Sequence, residues 1–290
     1  MYQINDPFSI YYHDSSVPLE DYSRELTTHE LLRLDYKPAR LTKGCSSSKN
    51  VNKLLDLLLK KNKNEIKSLN LSNCMVDLDA VKKFKLFPNL KGLVLDNSFN
   101  WIPSRYASSK EERKYFALGE QIIKEISKLK LELLDLSNNN VTNYRLKELE
   151  KMKSSLKILS LQSREQRNKA PDLNFSEFKN LRELDLYGNV LTDKQIIQIG
   201  TLSKLIYLDI RGCCEKSYVP RRNHPSRWYI DSLIELQWNI HKYKNLEVLK
   251  IRLPNPDCIE DFQLLPSDRW ESYIKENLPK LQILDIEYYE

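Results

Sequence analysis

Leu181-Arg182-Glu183-Leu184-Asp185-Leu186-Tyr187-Gly188-Asn189-Val190-Leu191-Thr192-Asp193 is the stretch whose reading decides the fold. Leu184 and Leu186 alternate with Glu183, Asp185 and Tyr187, the pattern of a short strand that buries one face. Asn189 follows where the chain must turn. The period then changes, because Thr192 can cap a helix in which Ile196, Ile197, Ile199 and Leu202 recur at helical spacing. Strand, turn and helix together occupy about two dozen residues, and such a unit cannot bury its apolar faces alone.

The same apolar-x-x-apolar-x-apolar pattern occurs in eight copies, starting at Ile66, Leu90, Leu131, Leu156, Leu181, Leu205, Leu246 and Leu281. Successive starts lie 24, 41, 25, 25, 24, 41 and 35 residues apart, so four gaps share one period and three carry inserts. That motif at that period is the signature of a leucine-rich repeat solenoid, an α/β fold with a curved parallel sheet inside and helices outside. Asn or Cys is expected at the ninth position of a copy, where its side chain bonds turn backbone. Cys74, Asn139, Asn189 and Cys213 stand there, which gives both cysteines a plain structural role. The copies at Leu90, Leu156, Leu246 and Leu281 lack it, and looser turns are expected in them.

From Leu181 to Leu202 the chain resembles leucine-rich repeats of the cysteine-containing type, in which Asn or Cys runs on into Ile-Thr-Asp and a short helix. Here Asn189 is followed by Leu191-Thr192-Asp193, and in a second copy Asn139 by Val141-Thr142-Asn143. Such repeats are found in substrate receptors of cullin-type ubiquitin ligases, among them F-box and ZYG-11-like proteins. The resemblance therefore implies a receptor whose partners are cullin adaptor subunits and a substrate. The segment Leu54-Leu55-Asp56-Leu57-Leu58 is similar in outline to an elongin-binding box, with Leu58 where that box has Cys. Its plainer reading is an apolar capping helix on the first repeat.

Composition sets the bounds. The chain has 290 residues, 41% hydrophobic and 30% charged, with a formal net charge of +6. No apolar run approaches the roughly 18 residues that span a bilayer, and Met1 to Glu20 lacks a basic-then-apolar leader, so no membrane partner and a cytoplasmic or nuclear location are expected. The five cysteines are odd in number and show no pairing framework, as in a reducing compartment. No Cys/His pair has zinc-ligand spacing. No nucleophile elbow, phosphate-cradling glycine loop or His-Glu-x-x-His occurs, so neither an enzyme nor a cofactor is expected.

The ends differ from the middle. Residues 1–22 show no period and read as an irregular arm. A helix is expected over Glu30-Leu31-Leu32-Arg33-Leu34, capped by Thr27 or Thr28 and stopped by Pro38. Residues 44–50 read as a polar loop, and Val51, Leu54, Leu55, Leu57, Leu58 and Leu59 as a second helix ending in lysines. Residues 1–64 thus form an N-terminal arm and helical cap, and 65–290 the repeat domain. The final copy ends in Tyr288-Tyr289-Glu290 with no helix after it, so Asp257 to Tyr273 is expected to cover that end of the stack.

Partner binding is decided by the surfaces between the leucines. The strand period places three columns on the concave face. The middle one reads Asn70, Val94, Asp135, Ser160, Asp185, Asp209, Lys250 and Asp285; Asp there fits a partner strip, or simply keeps the face wet. Candidate contacts are Leu133, Asp135, Ile158, Glu183, Asp185, Tyr187, Tyr207, Asp209 and Arg211, with Leu133, Ile158, Tyr187 and Tyr207 as anchors. The inserts follow the strands and bring a basic, aromatic rim: Trp101, Arg105, Arg164, Arg167, Arg221, Arg222, Arg227 and Trp228. These residue types suit a protein partner, a phosphate backbone, or a merely solvated loop. Two functions follow: a non-enzymatic adaptor, with substrate recognition for a ubiquitin ligase as its particular form, or a structural or RNA-processing scaffold in a ribonucleoprotein assembly.

Overall fold

The structure is a computed structural model, and it describes residues 38–40, 48–61, 63–99, 109–139, 146–163, 173–189, 191–211, 227–253 and 264–288. Its strands are β1 (Pro38–Arg40), β2 (Ser68–Asn70), β3 (Gly92–Val94), β4 (Leu133–Asp135), β5 (Ile158–Ser160), β6 (Glu183–Asp185), β7 (Tyr207–Asp209), β8 (Val248–Leu253) and β9 (Ile283–Tyr288). They form one nine-stranded sheet in sequence order, every pairing parallel. Leu69, Leu93, Leu134, Leu159, Leu184, Leu208, Leu249 and Leu284 stand in register across it. All but Leu284 are fully buried, together with the leucine or isoleucine two residues on. Repeating leucines thus become a single continuous core, the solution open to units that cannot fold alone.

Helices return the chain on the outer side: α1 (Ser48–Lys61), α2 (Leu78–Phe84), α3 (Ser109–Ile126), α4 (Asp193–Gly200), α5 (Arg227–Asn239) and α6 (Ser267–Asn277). Two of the short gaps use 3₁₀ helices instead, at Leu146–Met152 and Phe175–Glu177, and a third 3₁₀ turn, Ile240–Tyr243, continues α5. Thr192 caps α4 as its sequence implies, within a reciprocal capping box with Gln195. Ile196, Ile199 and Leu202 face the core, while Ile197 is 40% exposed, so one of the four expected apolar contacts is not made. Tyr243 is buried and donates its hydroxyl to the Ile196 carbonyl at 2.6 Å, tying the 3₁₀ turn to α4 of the preceding repeat.

The sheet has one strand more than the eight repeats of the pattern. Pro38–Arg40 pairs in parallel with Ser68–Asn70, so the segment expected to be only a helical cap contributes a strand, and α1 is the return helix of that unit. The sequence hides it because Ala39 stands in register with Leu69 where other copies carry leucine. Pro38 is tolerated because it begins an edge strand. The α1 helix buries Val51 and Leu55, leaves Leu57 53% exposed, and docks on α2. Asn52 Nδ2 donates to Asp77 Oδ1 at 3.0 Å, and Asp77, the α2 cap, accepts from the Ala80 N–H at 2.8 Å. The helix expected over residues 30–34 lies outside the described residues.

At the other end, α6 buries Trp270 and Ile274. Trp270 Nε1 donates to the Leu265 carbonyl at 3.0 Å, and Tyr273 Oη to the Gln237 carbonyl of α5 at 2.8 Å. It is therefore the return helix between β8 and β9. The rest of the expected cover, residues 257–263, lies outside the described residues. The β9 strand remains half-exposed along its length, with Tyr288 47% exposed.

The concave face as candidate functional site

Four strands, β2, β3, β4 and β6, end in a turn built in the same way. Asn73, Asn97, Asn138 and Gly188 occupy equivalent places with φ of 59°, 53°, 57° and 75°, the left-handed region where Asn and Gly are tolerated. Their N–H groups donate to the next repeat, to the carbonyls of Asp96, Ser137, Gln162 and Arg211 at 2.8 to 3.0 Å. At Gly188 no side chain fits, since a Cβ would stand 1.8 Å from the Ser163 carbonyl oxygen. The next residue closes the turn. Asn139 Nδ2 donates to the carbonyls of Leu95, Leu136 and Ser137 at 2.6, 3.0 and 2.9 Å, and its Oδ1 accepts from the Ser98 and Phe99 N–H groups at 2.7 Å each. Asn189 repeats the donor half, to Leu161 and Leu186, and Cys74 is buried at its place. Ser98 fills the same position in the copy at Leu90, its Oγ donating to the Leu71 carbonyl at 2.6 Å, so that turn is tied like its neighbours. Cys213 lies outside the described residues.

The recurrent aspartate has a backbone task. The side-chain Oδ1 of Asn70, Asp135, Asp185 and Asp209 each accepts the N–H two residues on, from Ser72, Ser137, Tyr187 and Arg211 at 3.0, 2.9, 3.0 and 3.1 Å. That bond requires the carboxylate to lie close against the sheet. Asp135, Asp185 and Asp209 are 7%, 0% and 1% exposed, so these three do not keep the face wet. Burial pushes the Asp185 carboxyl well above the usual carboxylate range; Asp209 on the adjacent strand pushes it further, against hydrogen bonds from Gln162 and the Tyr187 N–H. Burial also raises Asp209, opposed by the Arg211 guanidinium.

The column before it is closed as well. Its Leu133 and Ile158 cluster with Val94 of the middle column, and Tyr207, Val248 and Ile283 form a second lateral apolar cluster. Leu133, Ile158, Glu183 and Tyr207 are 3%, 6%, 0% and 0% exposed, so three of the four expected anchors spend their surface on the fold. Lys250 Nζ lies 5.6 Å from the centre of the Tyr207 ring.

Accessible chemistry gathers in the third column at the C-terminal end. Arg211 extends from the end of β7 across β8 to β9. Its Nε donates to Asp209 Oδ1 at 3.0 Å, and its Nη1 to Asp285 Oδ2 at 3.1 Å and Glu287 Oε1 at 2.7 Å. Burial disfavours the guanidinium, but the three carboxylates more than offset this and hold its pKa above the ordinary value. Arg252 Nε donates to Glu287 Oε2 at 2.8 Å. Burial opposes ionisation of Glu287, yet the two arginines outweigh it and lower its pKa. Both guanidinium carbons face the Tyr187 ring, at 5.1 Å from Arg211 and 5.9 Å from Arg252. Asp285 belongs to the middle column, and Arg252 and Glu287 follow Lys250 and Asp285 by two residues, so the strand period puts all three on this face. What the columns did not show is that opposite charges 74 and 76 residues apart meet on Arg211.

The rim residues Trp101, Arg105, Arg164, Arg167, Arg221 and Arg222 lie outside the described residues. Arg227 and Trp228 begin α5, of which only the backbone is described there. Among the described residues no group of three His, Cys, Asp or Glu is placed to hold a metal ion, and no helix is long and apolar enough to cross a membrane.

Repeat period, parallel strand order, leucine register and outer helices together define the chain as a leucine-rich repeat solenoid. No family model and no curated protein matches its sequence. Among solved structures it is similar to an internalin, inlF, of Listeria monocytogenes, at 14% identity and a TM-score of 0.36. That overlap covers 84% of this chain and 60% of the internalin chain, so this chain spans under two thirds of that protein.

Proposed function

We propose that the chain is a non-enzymatic protein-interaction module that holds its partner on the C-terminal half of the concave face, and that it serves as the substrate-recognition subunit of a cullin-type ubiquitin ligase. One observation carries the choice of surface: the Tyr187 ring lies against Arg211 and Arg252, whose charges are already fixed by Asp209, Asp285 and Glu287. Aromatic and arginine side chains held in place before binding lose little entropy on contact, which is the chemistry of interface hot spots. The ligase role rests on the likeness of the repeat from Leu181 to Leu202 to those of ligase receptors. A cytoplasmic or nuclear location follows from that role.

The test is affinity capture of the full chain from cells, beside the double variant Tyr187→Ala/Arg252→Glu. Cullin and adaptor subunits recovered by both proteins, with a further protein recovered only by the parent, is the expected result. Ribonucleoproteins lost on ribonuclease treatment, with no cullin, would replace this reading by the RNA scaffold. Equal recovery of every partner by parent and variant would remove the concave strip.

A further inference from the structure

The opposite rim, at the N-terminal ends of the strands, carries a second surface. Between β5 and β9 it holds an open groove of about 420 Å³. Four cations, Lys157, Arg182, Lys204 and Lys280, line it against one carboxylate, Glu247. Successive repeats build it by one device. Asn180 Nδ2 donates to the Ser154 carbonyl at 2.8 Å and Asn245 Nδ2 to the Ser203 carbonyl at 2.7 Å, which fixes each amide between repeats. The free side of each amide then accepts a lysine: Lys204 Nζ on Asn180 Oδ1 at 2.7 Å, Lys280 Nζ on Asn245 Oδ1 at 2.8 Å. A neutral acceptor orients an ammonium without cancelling its charge, and each ammonium keeps donors for a ligand.

We propose that this groove binds an extended, carboxylate-rich segment of a partner protein. Charge complementarity is the first argument: Lys157 is ion-paired with Glu132 beside the groove, and Arg182, Lys204 and Lys280 still outnumber Glu247 three to one along it. Length is the second. From β5 to β9 are four strand steps of ~4.8 Å, or ~19 Å, which about six residues of extended peptide span. The remaining features separate a peptide from a nucleic acid. None of the lining residues is aromatic, so bases have nothing to stack on. Glu247 stands among the cations, where its carboxylate accepts an N–H from a peptide backbone, a donor that a phosphate backbone lacks. The groove lies on a different surface from the Tyr187 strip, so either assignment can fail without the other.

Fluorescence anisotropy of a labelled hexaglutamate peptide with the full chain tests it. Arg182→Glu/Lys204→Glu is expected to weaken binding at least ~10-fold, about 1.4 kcal/mol, with an unchanged unfolding midpoint. Lys60→Glu/Lys61→Glu on α1 makes the same change in net charge and is expected to bind as the parent does. Glu247→Gln keeps an acceptor and removes the repulsion, so it should bind the peptide more tightly than the parent, a result that misfolding cannot mimic. No binding by the parent, equal loss in both double variants, or a labelled oligouridylate bound more tightly than the peptide would each overturn the proposal.

Discussion

The two halves of the concave face use one backbone for different ends. In the N-terminal half, β3 to β5 present the Val94, Leu133 and Ile158 cluster, with Ser137 and Ser160 hydroxyls bonded to each other at 2.7 Å beside it. In the C-terminal half, β6 to β9 carry Tyr187, Arg211, Arg252, Asp285 and Glu287 in one ionic and cation–π network. The strands lengthen there too: β8 pairs β9 over six residues, where earlier pairs have three. The leucines are the same in both halves, so stacking does not distinguish them. The difference is confined to the columns between leucines, and it separates a half closed by apolar side chains from a half that carries a network of charged and aromatic ones.

The largest expected effect breaks the comparison by striking what both halves share. Gly188→Ala should cost at least about 4 kcal/mol in urea unfolding, because a left-handed backbone and a steric overlap with the Ser163 carbonyl add together. An effect below about 1 kcal/mol would mean the turn relaxes freely. Next, Asn139→Ala should cost about 3 kcal/mol, since it leaves buried turn groups unpaired, and Ser98→Ala, with fewer bonds, about 1 kcal/mol. Equal costs would show that Asn and Ser are interchangeable at the ninth position.

The halves themselves separate at the third level. Arg211→Ala should destabilise by about 2–3 kcal/mol, as it leaves the buried Asp209 carboxylate without its partner. Ser137→Ala, in the other half, should cost about 1 kcal/mol or less. Similar values would erase the distinction drawn between the halves. The smallest effect concerns pH. With its pKa raised in the fold, Asp185 binds a proton more tightly folded than unfolded, so its contribution is fully present below the ordinary carboxylate pKa of about 4 and is lost as pH rises through the folded value. Asp185→Asn retains an acceptor for the Tyr187 N–H, and its unfolding midpoint should fall less than the parent's between pH 5 and pH 8. A steeper fall in the variant would reverse that sign.

Much of this was legible because leucine spacing is a local property that the strand and helix periods turn directly into buried faces. The register of all eight leucine-bearing strands, the Thr192 cap and the turn role of Asn139 and Asn189 follow from it. The strand at Pro38–Arg40 escaped because Ala39 replaces the leucine. Ser98 was not recognised as a turn residue because a hydroxyl can replace an amide only if a carbonyl stands within reach, here that of Leu71 in the preceding repeat.

By itself, then, the sequence determined that the chain stacks repeats into a parallel sheet, since no repeat can bury its apolar faces alone. Which of the residues between the leucines meet solvent was decided by the tertiary structure. Asp185 and Tyr187 are two residues apart on one strand face, yet one is sealed with a raised pKa while the other is half-exposed beneath two arginines. Burial and charge pairing are set by neighbours contributed by other repeats, and no single stretch of sequence contains its own neighbours.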